Sequence, residues 1–271
     1  MVKGIALYSV IPVRAEAREA AEQNTQILFG ETFDILEQKP RWNRVKLHSD
    51  GQEGWIDAKM CTPMSAEEYK AYTAAYRNAA IVAMPMAYAV SENNGQTIPL
   101  TAGTKLAKYQ VTKDPSQRIV SARFEVLGVG FRIDPGMVAV QPIELNQPNL
   151  LQTVRFFLNI PYLWGGKNAM GMDCSGFTQV VMSLFGKKLL RNASEQAQQG
   201  RKISDLSKVH AGDLVFFDHE DGKISHVGIA IDGERVIHCS GRVKVEKLDF
   251  NGIFNAETNS YSHHLVAINR I

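Results

Sequence analysis

The sequence predicts a mixed α+β protein in which small all-β domains precede a larger α+β domain. Short runs of alternating apolar residues, separated by turn residues, fill most of the first 145 positions. Apolar residues then follow helical spacing over Cys174–Leu184, and strand-like apolar runs continue from there to residue 268. We therefore divide the chain into a first β-barrel at 1–62, a linker helix at 63–77, a second, degenerate β-barrel at 78–145 and an α+β domain at 146–271.

Composition and charge exclude several classes of protein. The chain has 271 residues, is 45% hydrophobic and carries a net charge of +2, so it is long enough for two or three globular domains. Its basic residues are scattered, without the stripe of Lys, Arg and aromatic residues that is typical of nucleic-acid binding. No apolar run approaches the roughly 18 residues that a membrane span needs. We expect a monomer with no nucleic-acid or membrane partner.

The N-terminus predicts a β-strand rather than a secretory leader. The apolar stretch within Met1–Val13 is short and is interrupted by Tyr8, Ser9 and Pro12. A leader has a longer, uninterrupted apolar region. Without an export signal, the chain is expected to be cytoplasmic.

Residues 1–62 contain strand-length segments joined by turns. Apolar positions alternate over 32–36 and 42–47, and Ser49-Asp-Gly51 turns the chain toward 54–56. Several short strands at this spacing indicate a small β-barrel. The segment resembles bacterial SH3-like domains, and the resemblance rests on the order Gly30-Glu31, Trp42 with Val45, and Gly54-Trp55-Ile56.

A helix and a further all-β segment follow. Ser65 and Glu68 form the Ser-x-x-Glu pattern of a capping box, which predicts a helix through Tyr76. Residues 78–145 then return to strand-like segments, whose number and size fit a second, degenerate SH3-like barrel. The alternative interpretation is an elaboration of the first barrel, because the two segments do not align convincingly as a repeat.

From residue 146 the pattern becomes helical and then strand-like. One helical stripe contains Leu150, Leu151, Val154 and Phe157. A second stripe contains Phe177, Val180, Val181 and Leu184, with Gly186 as the expected C-cap. Strand-like runs follow at 214–217, 227–231, 236–238 and 265–268. A helix that starts with a cysteine, followed by an antiparallel sheet that carries histidines, is the layout of papain-like thiol hydrolases.

Cys174 is the candidate nucleophile. The chain has three cysteines, so at least one stays unpaired, and we interpret Cys61 and Cys239 as small buried hydrophobic residues. Cys174 starts the predicted helix, where free N–H groups and a neighbouring imidazolium would lower a thiol pKa from about 8.5 toward roughly 3.5–7.5. The alternative is a buried helix cysteine. It is disfavoured because the stripe that begins at Phe177 supplies the core face without Cys174.

His226 and His238 are the candidate base and its orienting partner. They lie on consecutive predicted strands that are joined by a turn at Asp232-Gly233. A three-residue loop, Ile231-Asp-Gly233, with Gly233 in the left-handed conformation, would place the two histidines directly opposite each other, with Cβ atoms about 4.5–5.5 Å apart. A two-residue loop would put them on opposite faces. The catalytic interpretation therefore requires the longer loop, and its alternative is a pair of surface or core histidines.

Five segments of the C-terminal half occur in a fixed order: Pro161-Tyr-Leu-Trp-Gly-Gly166, Asp173-Cys-Ser-Gly-Phe177, Gly212-Asp213-Leu-Val-Phe-Phe217, His226-Val-Gly-Ile229 and Val236-Ile-His238. Together they resemble the NlpC-type family of cell-wall cysteine peptidases. The resemblance implies that Tyr162 helps to form the oxyanion site and that Asp173 and Ser175 line the substrate cleft. Trp164 is a further substrate-binding candidate, and its alternative is a packed aromatic corner.

The order of the domains is similar to that of a narrower group, the YkfC-like γ-D-glutamyl-L-diamino acid endopeptidases, also called dipeptidyl-peptidase VI. This implies cleavage of L-Ala-γ-D-Glu–diamino acid murein peptides after the second residue, with a barrel that binds the free N-terminal amine. A buried amine requires a carboxylate or aromatic partner, for which Glu22 is the first candidate and Glu19 the second. Asn192 stands where the group commonly has Asp. Asn keeps the acceptor oxygen but loses the charge, and Asp173 could supply the contact instead.

Two other function classes remain open at this level. A papain-fold amidase or acyltransferase would use the same Cys174 and His226, but this function class does not explain why the chain has the barrels. A non-catalytic cell-wall-binding protein would keep the barrels and would need no thiol. We expect no metal or cofactor, because His219-Glu-Asp221 lacks a second ligand group nearby and is interpreted as a solvated turn. Four further histidines match nothing in the motif and are interpreted as structural or exposed: His210, His219, His263 and His264.

Overall fold

The computed structural model describes residues 2–218 and 222–271. The predicted turn His219-Glu-Asp221 lies outside the described residues. The chain is divided into two structural units, Met1–Gln141 and Pro142–Ile271. Among the helices within the described ranges, none is long and apolar enough to cross a membrane.

The first unit begins with an antiparallel sheet. Its strands are β1 (Val2–Ile5), β2 (Val10–Arg14), β3 (Gln23–Leu28), β4 (Thr32–Gln38), β5 (Trp42–Leu47), β6 (Glu53–Asp57) and β7 (Thr62–Met64). They lie in the order β3-β2-β6-β5-β4-β1-β7. Alternate residues of the strands are buried, as the alternation of apolar residues predicts, so that Ile11, Phe33, Val45 and Ile56 share one core.

Helix α1 (Ala66–Tyr76) starts at the predicted capping box. The Glu68 N–H donates to Ser65 Oγ at 3.1 Å, and the Ser65 N–H donates to Glu68 Oε2 at 2.8 Å. These reciprocal bonds satisfy two backbone donors at the helix start, and the prediction of this helix is confirmed. Tyr72 of the same helix is buried, and its hydroxyl donates to the Gly30 carbonyl at 2.8 Å.

A further all-β segment follows α1 within the same unit. Its strands are β8 (Ala80–Val82), β9 (Met86–Ser91), β10 (Thr97–Thr101), β11 (Lys105–Leu106), β12 (Gln110–Lys113), β13 (Ile119–Val126), β14 (Val129–Ile133) and β15 (Val138–Ala139). They are ordered β10-β9-β14-β13-β12 and β11-β8-β15. Phe29 of the first segment packs edge-on against Phe124 and Phe131, with ring centroids 6.3 and 5.6 Å away. The two all-β segments thus share an apolar core, to which α1 contributes Tyr72.

The second unit contains a closed antiparallel β-barrel. The strands of the whole unit are β16 (Lys167–Asn168), β17 (Gly171–Met172), β18 (Arg201–Lys202), β19 (Leu214–Asp218), β20 (His226–Ala230), β21 (Arg235–Ser240), β22 (Arg242–Asp249), β23 (Gly252–Asn255) and β24 (Ser260–Arg270). Strands β16 and β17 pair with each other in a separate two-stranded sheet. The barrel strands run in the order β24-β19-β20-β21-β22-β23, and β23 pairs in turn with β24. The sequence predicted an antiparallel sheet here. The ring closes because β24, at 11 residues, is long enough to pair with both β19 and β23.

The helices of this unit are α2 (Gln147–Val154), α3 (Cys174–Leu184) and α4 (Ala193–Gln196). The apolar stripe predicted for α3 is confirmed, because Phe177, Val180, Val181 and Leu184 are at most 2% exposed. Gly186 ends the helix with φ +74°, and the Lys187 N–H donates to the Met182 carbonyl at 3.0 Å, so the predicted cap is confirmed. In α2, Leu151 was expected on the buried stripe but is 38% exposed.

Candidate active site

Hydrogen bonds to Asp173 fix the start of α3. The Asp173 carboxylate accepts a hydrogen bond from the Gly176 N–H at 2.6 Å and another from the Gly165 N–H at 2.9 Å. The first bond satisfies one of the free donors at the helix N-terminus. The second ties the preceding loop to the helix. Cys174, 7% exposed, is the first residue of α3, so the candidate nucleophile lies at the predicted helix start.

A buried ion pair also holds Asp173. Arg191 is 1% exposed, and its guanidinium donates to the two Asp173 oxygens at 3.0 and 2.5 Å and to Ser175 Oγ at 2.9 Å. Such a bidentate pair fixes the direction of both partners as well as their distance. Asp173 and Ser175 are 7% and 5% exposed, and this network engages both side chains. Their contact with a substrate stays a prediction, whereas their contacts with Arg191 position the helix start.

Close backbone approach explains two glycines of the sequence motif. A Cβ atom on Gly176 would overlap with the Gly166 carbonyl oxygen, and one on Gly166 would overlap with the Gly171 carbonyl oxygen. Neither carbonyl can move away without shifting the loop that precedes α3. The glycines therefore let this loop pack directly on the first turn of the helix, next to Cys174.

The two histidines lie on one face of the β20–β21 hairpin, but not directly opposite each other. Gly228 pairs with His238, and Ala230 pairs with Val236. His226 is two residues before Gly228, so it is a diagonal neighbour of His238 on the same face. The prediction of a shared face is confirmed, and the prediction of direct pairing is wrong.

The turn of this hairpin also differs from the predicted one. The Ile231 N–H donates to the Arg235 carbonyl at 2.9 Å, so the loop is Asp232-Gly233-Glu234 and not Ile231-Asp-Gly233. Gly233 does not adopt the predicted left-handed conformation. A Cβ atom at this position would lie 2.6 Å from the Leu206 carbonyl oxygen. Glycine is needed here for close contact with another segment, which a local turn pattern does not reveal.

The rings of His226 and His238 are hydrogen-bonded to each other. Nε2 of His226 lies 2.8 Å from Nδ1 of His238, and the ring planes are 88° apart. The residues are 5% and 0% exposed. Nε2 of His238 lies 2.8 Å from Oε2 of Glu246, whose carboxylate also pairs with Lys244 Nζ at 3.0 Å. Sequence analysis missed Glu246, because alternating charged residues on a strand such as β22 ordinarily indicate a solvated face.

His263 is a second side chain that sequence analysis did not place in the site. Its ring stacks on the ring of His226, with centroids 4.2 Å apart and planes 28° apart. Ser262 Oγ lies 2.9 Å from Nδ1 of His263, which is 7% exposed. Barrel closure brings β24 to this position, so no local pattern could have revealed the contact. The stacked ring covers one face of His226 and restricts its rotation.

The Cys174 thiol lies beside the start of β20. The backbone N–H groups of Val227 and Ser175 hydrogen-bond to its sulfur, and Val227 directly follows His226. Burial, with the Asp173 carboxylate as the next cause, nevertheless raises the pKa of the Cys174 thiol to about 11. The prediction of a lowered thiol pKa is therefore wrong, because burial outweighs the backbone donors. The direction of this shift favours the thiol form at neutral pH.

Tyr162 lies near this thiol. Its backbone N–H donates to the Gly241 carbonyl at 2.8 Å, which anchors the Tyr162 loop to the turn between β21 and β22. Burial, followed by the nearby Cys174 and Asp173 side chains, raises the pKa of the Tyr162 phenol. The phenol therefore keeps its proton at neutral pH and can donate a hydrogen bond to an oxyanion.

The remaining predicted substrate-binding residues are exposed. Trp164 is 59% exposed. Asn192 directly precedes α4, and its backbone N–H donates to Glu195 Oε2 at 2.9 Å. Glu22 lies in the first unit, directly before β3. Their contact with a substrate stays a prediction. Within residues 2–218 and 222–271, no group of three or more His, Cys, Asp or Glu side chains is arranged to hold a metal ion.

Family comparisons match both parts of the chain. Residues 159–267 match the NlpC/P60 family, and residues 13–59 match the bacterial dipeptidyl-peptidase Sh3 domain. The γ-D-glutamyl-L-lysine dipeptidyl-peptidase of Bacillus subtilis strain 168 is 30% identical over 226 residues, which are 79% of this chain and 71% of that protein. The protein of the same name from Bacillus cereus is 26% identical over 242 residues, or 81% of this chain and 68% of that protein.

Solved structures have the same fold. An NlpC/P60 family protein from Bacillus cereus aligns over 99% of both chains with a TM-score of 0.81 and 20% identity. An NlpC/P60 endopeptidase from Photobacterium damselae subsp. piscicida covers 98% of this chain and 72% of its own, with a TM-score of 0.69 and 14% identity. The SH3-like all-β region and the α+β unit thus form an NlpC/P60 fold. With the Bacillus subtilis relative, these comparisons show that the chain belongs to the NlpC/P60 family of cysteine peptidases, which act on peptidoglycan.

Proposed function

We propose that this protein hydrolyses the bond between γ-D-Glu and the diamino acid in murein peptides that have a free N-terminal L-Ala. The observation that carries the proposal is a set of neighbouring buried side chains: Cys174 at the start of α3, and His226 and His238 on the β20–β21 hairpin. The Cys174 sulfur accepts a hydrogen bond from the Val227 N–H. Nε2 of His226 and Nδ1 of His238 are hydrogen-bonded at 2.8 Å. The names of the two Bacillus relatives support the choice of bond.

In this proposal Cys174 is the nucleophile and His226 is the base. Because the Cys174 pKa is about 11, the proton leaves while the sulfur attacks the scissile carbonyl carbon. A carbon–sulfur bond forms, the carbonyl π electrons move to the oxygen, and the thiol proton passes to His226. His238 orients the accepting ring. The reaction therefore does not require a thiolate in the resting site.

The oxyanion is stabilised by the backbone N–H of Cys174, the first residue of α3, and by the Tyr162 hydroxyl. When the tetrahedral intermediate collapses, the carbon–nitrogen bond breaks and His226 protonates the departing amine. The same ring then takes a proton from water, which attacks the thioester and releases L-Ala-D-Glu with regeneration of the Cys174 thiol. The papain-like assignment of the catalytic fold is part of this proposal. It is supported by the cysteine at a helix start and the histidines on antiparallel strands.

We further propose that the peptide amine is recognised by Glu22, and that Asp173, Ser175, Trp164 and Asn192 contribute to the remaining substrate contacts. A requirement for a free amine would select peptides already released from the wall. This selection suits the recycling of murein peptides, and we propose that it takes place in the cytoplasm.

Incubation with L-Ala-γ-D-Glu-meso-diaminopimelate, followed by mass detection of the products, tests the proposal. We expect L-Ala-D-Glu and free diaminopimelate from the natural sequence and from Cys61→Ala, and neither product from Cys174→Ala. The L-Lys peptide, assayed in parallel, establishes which diamino acid is preferred. Binding without cleavage would support a wall-binding protein instead, and transfer of the acyl group to an added amine would support an acyltransferase.

A further inference from the structure

We propose that Glu246 determines which ring nitrogens of His226 and His238 carry protons, and that it thereby leaves Nδ1 of His226 unprotonated, as the base for the Cys174 thiol must be. Glu246 is in this view a positioning residue that acts through His238. The inference rests on the catalytic roles proposed above for Cys174 and His226, and it adds a member that neither the sequence motif nor the family comparison indicates.

Glu246, His238 and His226 are connected in that order by two short contacts between their side chains. Oε2 of Glu246 lies 2.8 Å from Nε2 of His238, and Nδ1 of the same ring lies 2.8 Å from Nε2 of His226. The His238 side chain is fully buried, and the Glu246 side chain is 11% exposed. Each nitrogen of His238 therefore has one defined partner, so its proton position is set by what those partners can donate or accept.

Glu246 fixes the first proton in the series. Burial alone would raise the Glu246 pKa, but the hydrogen bonds from His238 and Lys244 outweigh it, and the pKa is lowered. Glu246 is therefore a carboxylate at neutral pH, and a carboxylate can only accept hydrogen bonds. Nε2 of His238 must then carry a proton.

The second proton follows from the first. Burial lowers the pKa of His238, although Glu246 opposes this effect, so the ring is neutral at neutral pH and carries one proton. With Nε2 protonated, Nδ1 of His238 is an acceptor. The hydrogen bond at 2.8 Å then requires that Nε2 of His226 be the donor. A neutral His226 with its proton on Nε2 has its lone pair on Nδ1, which is the state that can accept the thiol proton.

Without the carboxylate, the two rings alone would not select this state. Reversing both tautomers keeps the bond between the rings but makes His238 Nδ1 the donor and His226 Nε2 the acceptor. His226 would then carry its proton on Nδ1 and could not act as the base. Glu246 excludes this arrangement, because its oxygen would face an unprotonated Nε2 of His238.

Glu246 also acts on the charged state that forms during attack. When His226 takes up the thiol proton, the carboxylate stabilises the resulting positive charge through His238. Among the described residues, this pair is also faced by Lys244, which opposes protonation of His238. It is faced as well by His263, whose ring centroid lies 5.9 Å from that of His238 and 4.2 Å from that of His226. Cys174 lies beside the start of the β20–β21 hairpin, where the Val227 N–H hydrogen-bonds to its sulfur. Loss of the Glu246 charge should therefore lower the apparent pKa of the imidazole pair.

Nitrogen NMR of the protein labelled with ¹⁵N-histidine tests the proposed tautomers directly. In the natural sequence we expect His238 to carry its proton on Nε2 and His226 to carry its proton on Nε2. In Glu246→Gln we expect a mixture of tautomers, because an amide can donate as well as accept. Glu234→Gln removes the same charge from an exposed side chain on the nearby β20–β21 turn and should leave both rings unchanged. A proton on Nδ1 of His238 in the natural sequence would overturn the proposal, even if the Glu246 variant failed to fold.

Kinetics provide the second measurement. For Glu246→Gln we expect kcat to fall by about 10- to 100-fold with little change in KM, and we expect iodoacetamide to alkylate Cys174 more slowly. In a plot of kcat/KM against pH, the acid limb should move to lower pH. A purely structural role of Glu246 would leave the pH of this limb unchanged. Unchanged kcat, alkylation and acid limb would overturn the proposal. If the murein peptide is not cleaved by the natural sequence, the proposed substrate fails, but the NMR and alkylation measurements still decide the role of Glu246.

Discussion

Burial and nearby backbone N–H groups shift the pKa of the Cys174 thiol in opposite directions. The N–H groups of Ser175 and Val227 favour a thiolate, whereas burial and the Asp173 carboxylate disfavour it, and the resulting pKa is about 11. A thiolate held permanently in this site would be a buried charge, and burial disfavours the charged form of the thiol. A thiol that loses its proton only during attack avoids that cost and makes the neighbouring base essential.

Alkylation of Cys174 by iodoacetamide should therefore become faster as the pH rises from about 7 to about 10. Below a pKa of about 11, each pH unit increases the thiolate fraction about tenfold. The rate can be followed by peptide mass spectrometry in Cys61→Ala, with Cys174→Ala as the control for site assignment. A rate that is already constant near neutral pH would instead indicate a preformed thiolate–imidazolium pair.

His226 and His238 should behave as one catalytic group. His226→Ala should reduce kcat by about 10⁴-fold or more, nearly as much as Cys174→Ala, because the buried thiol then lacks a proton acceptor. His238→Ala should cost less, since it removes only the partner that orients the base. The double variant should resemble His226→Ala in the dipeptide-release assay. Losses that multiply would show that the two rings do not serve the same nucleophile.

At the level of elements, the first turn of α3 is anchored by residues from the segment that leads into α4. Arg191 binds both oxygens of Asp173, and Gln196 of α4 donates from Nε2 to the Ser175 carbonyl at 3.1 Å. Gln196 is fully buried, and it also accepts a hydrogen bond from Thr178 Oγ1 at 2.8 Å. The position of Cys174 thus depends on polar contacts that lie within the unit rather than on its surface.

Removing the charge of Arg191 should destabilise this unit strongly. Arg191→Met leaves the Asp173 carboxylate buried without its counter-charge, which typically costs about 3–5 kcal/mol. Arg44→Met is the matched control, because the Arg44–Glu53 pair is 2.8 Å apart but its side chains are 45% and 34% exposed. Exposed pairs contribute about 0–1 kcal/mol. Urea denaturation measures both changes, and similar losses in the two variants would contradict the importance of the buried pair.

Local patterns predicted the helices better than they predicted the strand pairing. The bounds of α3, its buried stripe and the cap at Gly186 follow from helical spacing within a dozen residues. The hairpin register does not, because Gly233 is placed by the Leu206 backbone rather than by its own turn type. Barrel closure depends on the pairing of β23 with β24, which no strand pattern specifies.

The same distinction applies to the candidate site. Cys174, His226, His238 and Tyr162 were predicted because they lie in ordered motifs, and the structure places them in one region of the second unit. Glu246 and His263 were not predicted to lie there, because they reach this region through pairing of strands that follow the motif. The lowered thiol pKa was a wrong prediction for a related reason: the helix start was visible in the sequence, but the extent of burial was not.

At the scale of the whole molecule, similarity to the Bacillus dipeptidyl-peptidases extends beyond the peptidase unit. The alignments of 226 and 242 residues are longer than the unit Pro142–Ile271, so they include much of the all-β region. We propose that this region takes part in the choice of substrate. In that case it should affect which peptide end is accepted rather than the chemistry at Cys174.

Acetylation of the N-terminal L-Ala should therefore reduce cleavage sharply. A free amine is cationic and can pair with a carboxylate, whereas the acylated nitrogen of polymeric wall is neutral and bulky. Loss of that contact leaves a polar partner unsatisfied, which costs about 1–3 kcal/mol and corresponds to roughly a ten- to hundredfold lower rate.

Comparing kcat/KM for the free and acetylated peptides measures this effect. Glu22→Ala should narrow the difference between the two peptides, while Glu37→Ala, another exposed carboxylate of the same unit, should leave it unchanged. Equal cleavage of both peptides by the natural sequence would instead favour an enzyme that acts on intact wall.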